Sequence, residues 1–415
     1  MEVKRCTMQQ IPGQAGNALG QPPSRRSGRP IDVRPHNNRR FDIIPSNRSR
    51  FRGRLALPLA CFFSLCFESA RSELPSTALQ TIVEGQAREK QVCAVSYATI
   101  HAGKISSSGG ASGCDHTRVP TDDSVFQAAS LSKPIFAYAV LKLAQASSLN
   151  LDAPLVSYLP QGYLHVQNPF AFGQPPITDL VVAPELQAVT ARMVLSHTSG
   201  LPNWSSDPLA FDFKPGTGWQ YSGEGFMLLQ RVVESITNQK LDDFMRHQLF
   251  DPLGMSSTAF RWEPQFADGF MPGMPRYMEI PEALAPFSLH TSAKDFAKFL
   301  AALMADPQAV QLIVQSPVSV VPKLGLGWGL GWGVERGEKE TFIWQWGNNP
   351  GYRAFVMAST SSGDAVVMLT SSENGLAVAE PIVKAVLPGT HMAFKSYLVR
   401  EGISYFICKN LNWCI

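Results

Sequence analysis

The sequence predicts an α+β fold, an α/β sandwich in which one antiparallel sheet takes strands from both ends of the chain and is flanked by helices. The runs VCAVSYATI and KISSSGGAS, at 92–100 and 104–112, are strand-like and are joined by HAG, a glycine-containing hairpin turn. Period-two runs return after residue 325. Between these ends, apolar residues recur at spacings of three and four in FMLLQRVVESI and AKDFAKFLAALM. This order predicts a mostly helical lobe, at about 130–305, inserted between strands of the same sheet.

The elements near the two ends have local signals of their own. STALQTIVEGQAREK, from about residue 75, predicts the first helix. LGWGLGWGV alternates large residues with glycines from Leu326 to Val334 and predicts a strand, and ETFIWQWG, RAFVMAS and DAVVMLTSS predict three more. GLAVAEPIVKAVL predicts a closing helix despite its proline. At 415 residues the chain can bury a large core. Its length permits two or three domains, and one large body or two intimately packed lobes fits equally well.

Charge is distributed unevenly along the chain. Residues 1–72 hold thirteen of the 36 lysines and arginines but only four of the 33 acidic residues, so the remainder is mildly acidic although the net charge is +3. Such a body lacks the clustered basic face of a nucleic-acid-binding protein, and we expect no nucleic-acid partner. Residues 1–47 are rich in Arg, Pro, Gly, Asn and Gln and predict a disordered or non-native extension.

Residues 48–72 have the pattern of an export signal. Four arginines precede the apolar run LALPLACFFSLCF, and small residues follow at Ala70 and Ser72. The run is too short to span a bilayer, and no later segment is long and apolar enough to do so. We therefore expect an exported protein, periplasmic or secreted, with no stable membrane span in its mature form; an Arg-rich organellar transit peptide is the alternative.

The cysteines offer a disulfide but no metal site. Cys93 and Cys114 flank the predicted hairpin and are candidates for pairing in an oxidising compartment, and the sequence leaves open whether they do so. There is no CxxC motif and no His/Cys cluster with zinc spacing. We expect neither a metal nor a cofactor.

The stretch FQAASLSKPIF, at 126–136, contains the first candidate for catalysis. Pro134 is tolerated in a helix only near its start, which places Ser130 at a helix N-terminus with Lys133 on the same face. An apolar surround and the helix dipole both lower the pKa of the lysine, and a neutral amine can accept the proton of the serine hydroxyl. The pattern therefore suits an activated nucleophile. The alternative is that Ser130 only caps the helix while Lys133 extends to solvent.

Further motifs follow in a fixed order. They are RMVLSHTSGLP at 192–202, FKPGTGWQYSGEGF at 213–226, PLGMSST at 252–258, SLHTSAKDFAKFL at 288–300 and WQWGNNPGYRAF at 344–355. Together with Ser130-Leu131-Ser132-Lys133 they resemble the serine β-lactamase and penicillin-binding-protein superfamily, in particular the class C-like branch that includes the family VIII carboxylesterases. The resemblance covers about 75–390. It implies a β-lactamase/transpeptidase-like fold and a cofactor-independent serine hydrolase domain at 73–390, followed by an extension of unknown role at 391–415.

The second motif of this superfamily is Tyr-x-Asn, and here it is Tyr221-Ser222-Gly223. By resemblance, Tyr221 passes a proton between the serine and the leaving group, provided that a nearby cation lowers its pKa. The alternative is a packed aromatic residue with a satisfied hydroxyl. Gly223 has no side chain with which to bind a substrate amide.

The third motif of the superfamily is Lys-Thr-Gly or His-x-Gly, and here it aligns with Gln345-Trp346-Gly347. The resemblance implies an oxyanion hole formed by the backbone N–H groups of Ser130 and Asn348. Gln345 lacks the charge that helps to hold a substrate carboxylate, Trp346 offers an apolar wall, and Gly347 lets the substrate approach the strand.

These residues predict a serine hydrolase that cleaves small carboxylic esters through an acyl-enzyme on Ser130. A β-lactamase or D-amino-acid peptidase with the same Ser-Lys-Tyr groups is the alternative, and a non-catalytic binding protein is a third. By resemblance His197 has a structural role beside the site. The Trp328/Trp332 pair is expected to pack in a core or cleft face rather than to form a ligand platform. The oligomeric state is not predicted.

Overall fold

The computed structural model describes residues 73–115, 118–337, 339–396 and 398–399. The predicted extension at 1–47, the predicted export signal at 48–72 and residues 400–415 of the C-terminal extension lie outside the described residues. Within them, the strands are β1 Val95–His101, β2 Lys104–Ala111, β3 Phe126–Gln127, β4 Leu164–Val166, β5 Thr178–Leu180, β6 His290–Thr291, β7 Val318–Val321, β8 Leu326–Trp328, β9 Gly333–Arg336, β10 Thr341–Asn349, β11 Tyr352–Ser359 and β12 Ala365–Thr370. The helices are α1 Ser76–Lys90, α2 Ser132–Gln145, α3 Ala191–Leu195, α4 Glu224–Thr237, α5 Leu241–Met245, α6 Asp251–Leu253, α7 Ala293–Met304, α8 Pro307–Val314 and α9 Ala379–Val386.

An eight-stranded sheet joins the two ends of the folded chain. Its order is β2-β1-β12-β11-β10-β9-β8-β7, and the pairs are antiparallel. Strand β1 lies beside β12, with Val95 opposite Thr370. The prediction of one antiparallel sheet built from N- and C-terminal strands is therefore confirmed.

Helices cover both faces of this sheet because successive residues of its central strands are apolar and point to opposite sides. On β11, Ala354 and Val356 join the core that includes residues of α2, α4 and α7. Phe355 and Met357 join a second core that includes residues of α1 and α9. The result is the predicted helix–sheet–helix sandwich.

The run LGWGLGWGV is two strands, and the prediction of one is wrong. β8 ends at Trp328, β9 begins at Gly333, and the N–H of Gly329 donates to the Trp332 carbonyl across the turn. Gly331 has a φ of +85°, and a Cβ there would lie 2.3 Å from the Cβ of Ala137 in α2. Glycine therefore permits both the turn and its contact with the helix. The alternation of large residues and glycines continues through the turn, so periodicity alone could not reveal the break.

The inserted part of the chain supplies helices α2 to α8, joined by long irregular segments and the short strand pairs β3–β6 and β4–β5. Its predicted boundaries, at about 130 and 305, stay a prediction. No single helix among the described residues is long and apolar enough to cross a membrane; α7 and α8 meet that length and composition only as a pair bent by 88°.

The N-terminal hairpin is closed by a disulfide bond. Cys93 precedes β1, Cys114 follows β2, and the structure joins their sulfur atoms. Helix α1 packs beside β1 and β2 through Leu79, Val83 and Ala87. The pairing that the sequence left open is present.

Candidate active site

Ser130 lies in a strained turn at the start of α2. Residues Ala129–Leu131 form a 3-10 turn, and Ala129 has a φ of +50°, a left-handed conformation that is costly for a residue with a Cβ. The Ser132 hydroxyl donates to the Ala129 carbonyl and accepts from the N–H of Leu289. Ser130 is partly exposed although both of its neighbours are buried. The turn thus presents one serine from an otherwise closed core.

Lys133 is fully buried and points at this serine. Its Nζ lies 3.3 Å from Ser130 Oγ and 2.9 Å from the carbonyl oxygen of Pro286. The centre of the Tyr221 ring is 4.6 Å from Nζ, and no carboxylate among the described residues forms an ion pair with the amine. Burial lowers the pKa of Lys133 to about 7. The lysine is therefore substantially neutral near pH 7, with a lone pair within reach of the serine hydroxyl.

The Tyr221 hydroxyl lies between the serine and the third motif. It hydrogen-bonds with Ser130 and accepts from Nε2 of Gln345 at 3.2 Å. Burial raises the pKa of Tyr221, and the hydrogen bonds with Ser130 and Gln345 only partly oppose this effect. The condition set for Tyr221, a pKa lowered by a nearby cation, is not met, because burial outweighs the effects that lower this pKa. Tyr221 is a protonated phenol at neutral pH and can donate.

Strand β10 brings the third motif against the nucleophile turn. A Cβ at Gly347 would lie 2.4 Å from the Ala128 carbonyl oxygen, so glycine permits this close approach. Gln345 is fully buried and its Oε1 accepts from the N–H of Trp346, whose ring centre lies 5.2 Å from that of Tyr221. Asn348 follows in the same strand and is partly exposed. The assignment of its N–H to an oxyanion hole stays a prediction.

Gly223 lies at the start of α4, and a tryptophan occupies the space beside it. A Cβ at Gly223 would lie 2.4 Å from two ring carbons of Trp204. The N–H of Gly223 donates to Oδ1 of Asn203 at 3.0 Å. Trp204 lies only two residues beyond the motif RMVLSHTSGLP but was not predicted, because an irregular segment gives no periodic signal.

His197 contacts the tyrosine rather than the serine. Its Nδ1 accepts from the N–H of Ser222 at 3.1 Å, and its ring centre lies 4.3 Å from that of Tyr221. Burial and the charge of Lys133 lower the pKa of His197 far below its usual range. This geometry suits the expected structural role, since a neutral imidazole holds the backbone that carries Tyr221.

Trp328 and Trp332 are both fully buried, as expected for core residues, but they belong to different cores. The ring of Trp328 lies 5.6 Å from that of Tyr221, whereas Trp332 stacks on Phe299. They do not form a common platform. Trp328 instead packs edge-to-face against the ring of Tyr221.

The described residues offer no obvious metal centre. No group of three or more histidine, cysteine, aspartate or glutamate side chains among them is arranged to hold an ion. The chemical groups that converge on Ser130 are an amine, a phenol and a carboxamide. Such a set suits acyl transfer by nucleophilic catalysis.

Comparisons with known proteins agree with this geometry. The family model described as Beta-lactamase matches residues 79–387. Penicillin-binding protein 4* of Bacillus subtilis (strain 168) is 24% identical over 63% of this chain and 64% of its own length. Esterase EstB of Burkholderia gladioli is 30% identical over 39% of this chain and 46% of its own length. The chain thus matches less than two thirds of the length of each of these relatives.

A solved structure supports the fold independently. The D-amino acid amidase of Ochrobactrum anthropi SV3, complexed with L-phenylalanine, superposes with a TM-score of 0.60 at 19% identity. The match covers 74% of this chain and 98% of the amidase. At this identity the likeness concerns the fold alone, and it confirms the fold that the sequence motifs predict.

Proposed function

Because the chain belongs to the beta-lactamase family, we propose that it is a serine hydrolase that cleaves small carboxylic esters through an acyl-enzyme on Ser130. The observation that supports this most directly is the 3.3 Å separation between Ser130 Oγ and a fully buried Lys133 Nζ. A lysine with a pKa of about 7 is well matched to a general base at neutral pH. The alternative that Lys133 extends to solvent does not fit its burial.

The proposed reaction has two halves. Lys133 takes the hydroxyl proton of Ser130 while Oγ attacks the ester carbonyl, and the N–H groups of Ser130 and Asn348 stabilise the oxyanion. The ester C–O bond then breaks, and Tyr221 gives its proton to the departing alkoxide and is reprotonated from the Lys133 ammonium. In the second half, water attacks the acyl-enzyme and gives a proton to Lys133. The bond between the acyl carbon and Oγ then breaks, the Lys133 ammonium returns its proton to Oγ, and release of the acid leaves both groups as they began.

Esters are favoured over β-lactams and peptides because the third motif is uncharged. Gln345 is fully buried and directs its amide N–H at Tyr221 rather than presenting a cation to a substrate carboxylate. Gly223 adds no side chain that could bind an amide. An ester also needs less protonation of its leaving group than an amide does, so these losses harm ester hydrolysis least.

The test is hydrolysis of p-nitrophenyl acetate and butyrate by the wild-type protein and by Ser130→Ala. We expect turnover by the wild type and a loss of kcat of at least about 1,000-fold in the variant, as for other serine nucleophiles. Ser235→Ala, which changes an exposed serine in α4, is the matched control and should keep full activity. Failure of the wild type to hydrolyse either ester, or full activity in Ser130→Ala, would contradict the proposal.

A second candidate keeps the chemistry and changes the substrate to a β-lactam or a D-amino-acid peptide. The names of the relative from Bacillus subtilis and of the amidase favour it. Turnover of nitrocefin or of a D-Ala-D-Ala peptide above that of short esters would reverse the order. Labelling of Ser130 by a fluorophosphonate probe would exclude a purely binding role.

We also propose that the protein is exported. The Cys93–Cys114 bond supports this, since such bonds persist mainly in oxidising compartments. Cell fractionation, together with the N-terminal sequence of the mature protein, tests it. An unprocessed protein in the cytoplasm would contradict this proposal.

A further inference from the structure

Three aromatic rings border the site beside Lys133, and the reaction proposed above does not use them. Phe170, Trp204 and Phe287, here called the aromatic wall, contact one another with ring centres 4.9, 5.1 and 5.3 Å apart. Lys133 Nζ lies 6.0 Å from the centre of the Trp204 ring and donates to the carbonyl of Pro286, which directly precedes Phe287. The wall is therefore a neighbour of the proposed general base.

Trp204 fills the space that a side chain at position 223 would need. The 2.4 Å separation between a Cβ built at Gly223 and two ring carbons of Trp204 is far below any van der Waals contact. The tryptophan at position 204 can therefore keep this position only if residue 223 is a glycine. The site has an indole where a longer residue at 223 would put its own side chain.

The loop that carries Trp204 is anchored on both sides of the tryptophan. Asn203 Oδ1 accepts from the N–H of Gly223 at 3.0 Å, and the N–H of Ser205 donates to Oε1 of Glu224 at 2.9 Å. The Ser205 carbonyl accepts from the N–H of Asn168, in the β4–β5 loop that carries Phe170. Such anchoring holds the indole in one orientation before any ligand arrives, which reduces the entropic cost of binding.

The wall also keeps an accessible surface. Phe170 is 36% exposed and Trp204 is partly exposed, whereas Phe287 is buried behind them. Phe172 and Met278 continue the apolar surroundings. An accessible aromatic surface attracts another ring by edge-to-face contact, and it leaves a polar amide without a partner.

We propose that Trp204 is a specificity-determining residue, which with Phe170 and Phe287 binds an aromatic group of the ester and disfavours substrates that bring an amide to position 223. This inference rests on the ester hydrolysis proposed above and adds the substrate class. The aromatic group belongs either to the acyl part or to the alcohol part of the ester. The two arms of the experiment distinguish these sources.

The experiment compares kcat/KM for matched ester pairs. The acyl arm uses p-nitrophenyl phenylacetate against p-nitrophenyl acetate, and the alcohol arm uses benzyl acetate against ethyl acetate. In the wild type we expect the aromatic member to be preferred in at least one arm, and Trp204→Ala to reduce that preference by roughly 10-fold or more. Trp204→Phe should restore most of it, because a ring remains.

Two further variants guard against a general loss of structure. Phe170→Ala removes an exposed ring, leaves the core intact and should reduce the same preference by a few-fold. Trp262→Ala is the matched control, since Trp262 is similarly exposed and its described ring contacts are with Phe266, Phe270 and His290. It should leave the preference unchanged.

The outcomes separate this inference from the proposed function. Ester hydrolysis that depends on Ser130, with the same preference in the wild type and in Trp204→Ala, overturns the aromatic wall alone. Absence of hydrolysis in both arms, together with no fluorophosphonate labelling of Ser130, overturns the proposed function and the inference with it. A preference that collapses in Trp204→Ala and returns in Trp204→Phe supports both.

Discussion

The two sides of the candidate site are electrically neutral for different reasons. On the nucleophile side, Lys133 and Tyr221 are titratable groups packed around Ser130, and burial drives both towards their neutral forms. On the other side, a buried carboxamide at Gln345 and the Gly223–Trp204 contact stand where a charge and an amide-binding side chain are expected from the superfamily motifs. In the proposed function the first side forms the acyl-enzyme, whereas the second side offers neutral and aromatic groups to the substrate.

The proposed function therefore assigns reactivity and selectivity to separate residues of this chain. Burial alone suffices to make the lysine a base, because desolvation penalises its charged form. Substrate choice depends on how Gln345 and Trp204, on the opposite side, contact the groups attached to the reacting carbonyl. Three changes, one on each side and one behind the aromatic wall, test the separation.

The largest expected effect is that of Lys133→Met on activity. The variant removes the proposed base from a site of the same size, and we expect kcat/KM for p-nitrophenyl acetate to fall about 100- to 10,000-fold. In the wild type, kcat/KM should rise with pH through about 7, because the neutral amine is the active form. Lys142→Met, on the same helix and paired with Asp306, is the matched control and should keep its activity and its pH profile.

Lys133→Met should also stabilise the fold near neutral pH. The folded-state pKa is lowered from 10.5 to about 7, so the unfolded chain binds an extra proton between these values and wild-type stability rises with pH across this window. The penalty is fully present below pH 7. We expect a gain of about 2 kcal/mol at pH 7, since the lost donor to Pro286 offsets part of the relieved desolvation. Urea unfolding at pH 7 and pH 10 measures it, and equal gains at both would contradict the explanation.

Gln345→Lys tests the opposite side. A cation at this position can bind a substrate carboxylate, and we expect the ratio of kcat/KM for nitrocefin to that for p-nitrophenyl acetate to rise about tenfold. Burial of the new charge should reduce stability by a few kcal/mol. Gln345→Met, which is neutral and of similar size, controls for the loss of the hydrogen bond to Tyr221. The same rise in both variants would show that charge is not the cause.

The smallest expected effect is on stability, through His165. This histidine contacts Glu224, which also accepts from the N–H of Ser205 in the loop that carries Trp204. His165 is buried with its Nδ1 2.8 Å from Asp179 and its Nε2 3.3 Å from Glu224. Burial acts to lower the pKa of His165, but hydrogen bonds and charges of Glu224 and Asp179 outweigh it and raise the pKa above its usual value. A raised pKa contributes stability that is fully present below the unfolded value and is lost as the pH rises through the folded one.

Asp179→Asn should therefore lower stability by about 1 kcal/mol at pH 6 and by less at pH 9. Thermal unfolding at both values measures the difference. Asp152→Asn, which breaks an exposed pair with Arg192, is the control and should change little at either pH. A loss for Asp179→Asn that does not depend on pH would contradict a change in the charge of His165 between pH 6 and pH 9.

The sequence by itself determined the features that depend on local spacing. Lys133 follows Ser130 by three positions, and helix geometry alone places them on one face. Period-two runs predicted the strands β10, β11 and β12, and the ends of a predicted hairpin made Cys93 and Cys114 candidates for pairing. The order of strand-like and helical runs predicted the sheet built from both ends of the chain, and the order of the motifs predicted the family.

The tertiary structure alone decided the features that arise where distant segments meet. The break in LGWGLGWGV lies where Gly331 packs against Ala137 of α2, and the direction of the Tyr221 pKa shift depends on burial by its neighbours. The aromatic wall draws Phe170, Trp204 and Phe287 from three irregular segments without periodic patterns. Burial and steric exclusion are properties of packed neighbours, and the order of residues along the chain does not specify which neighbours will pack.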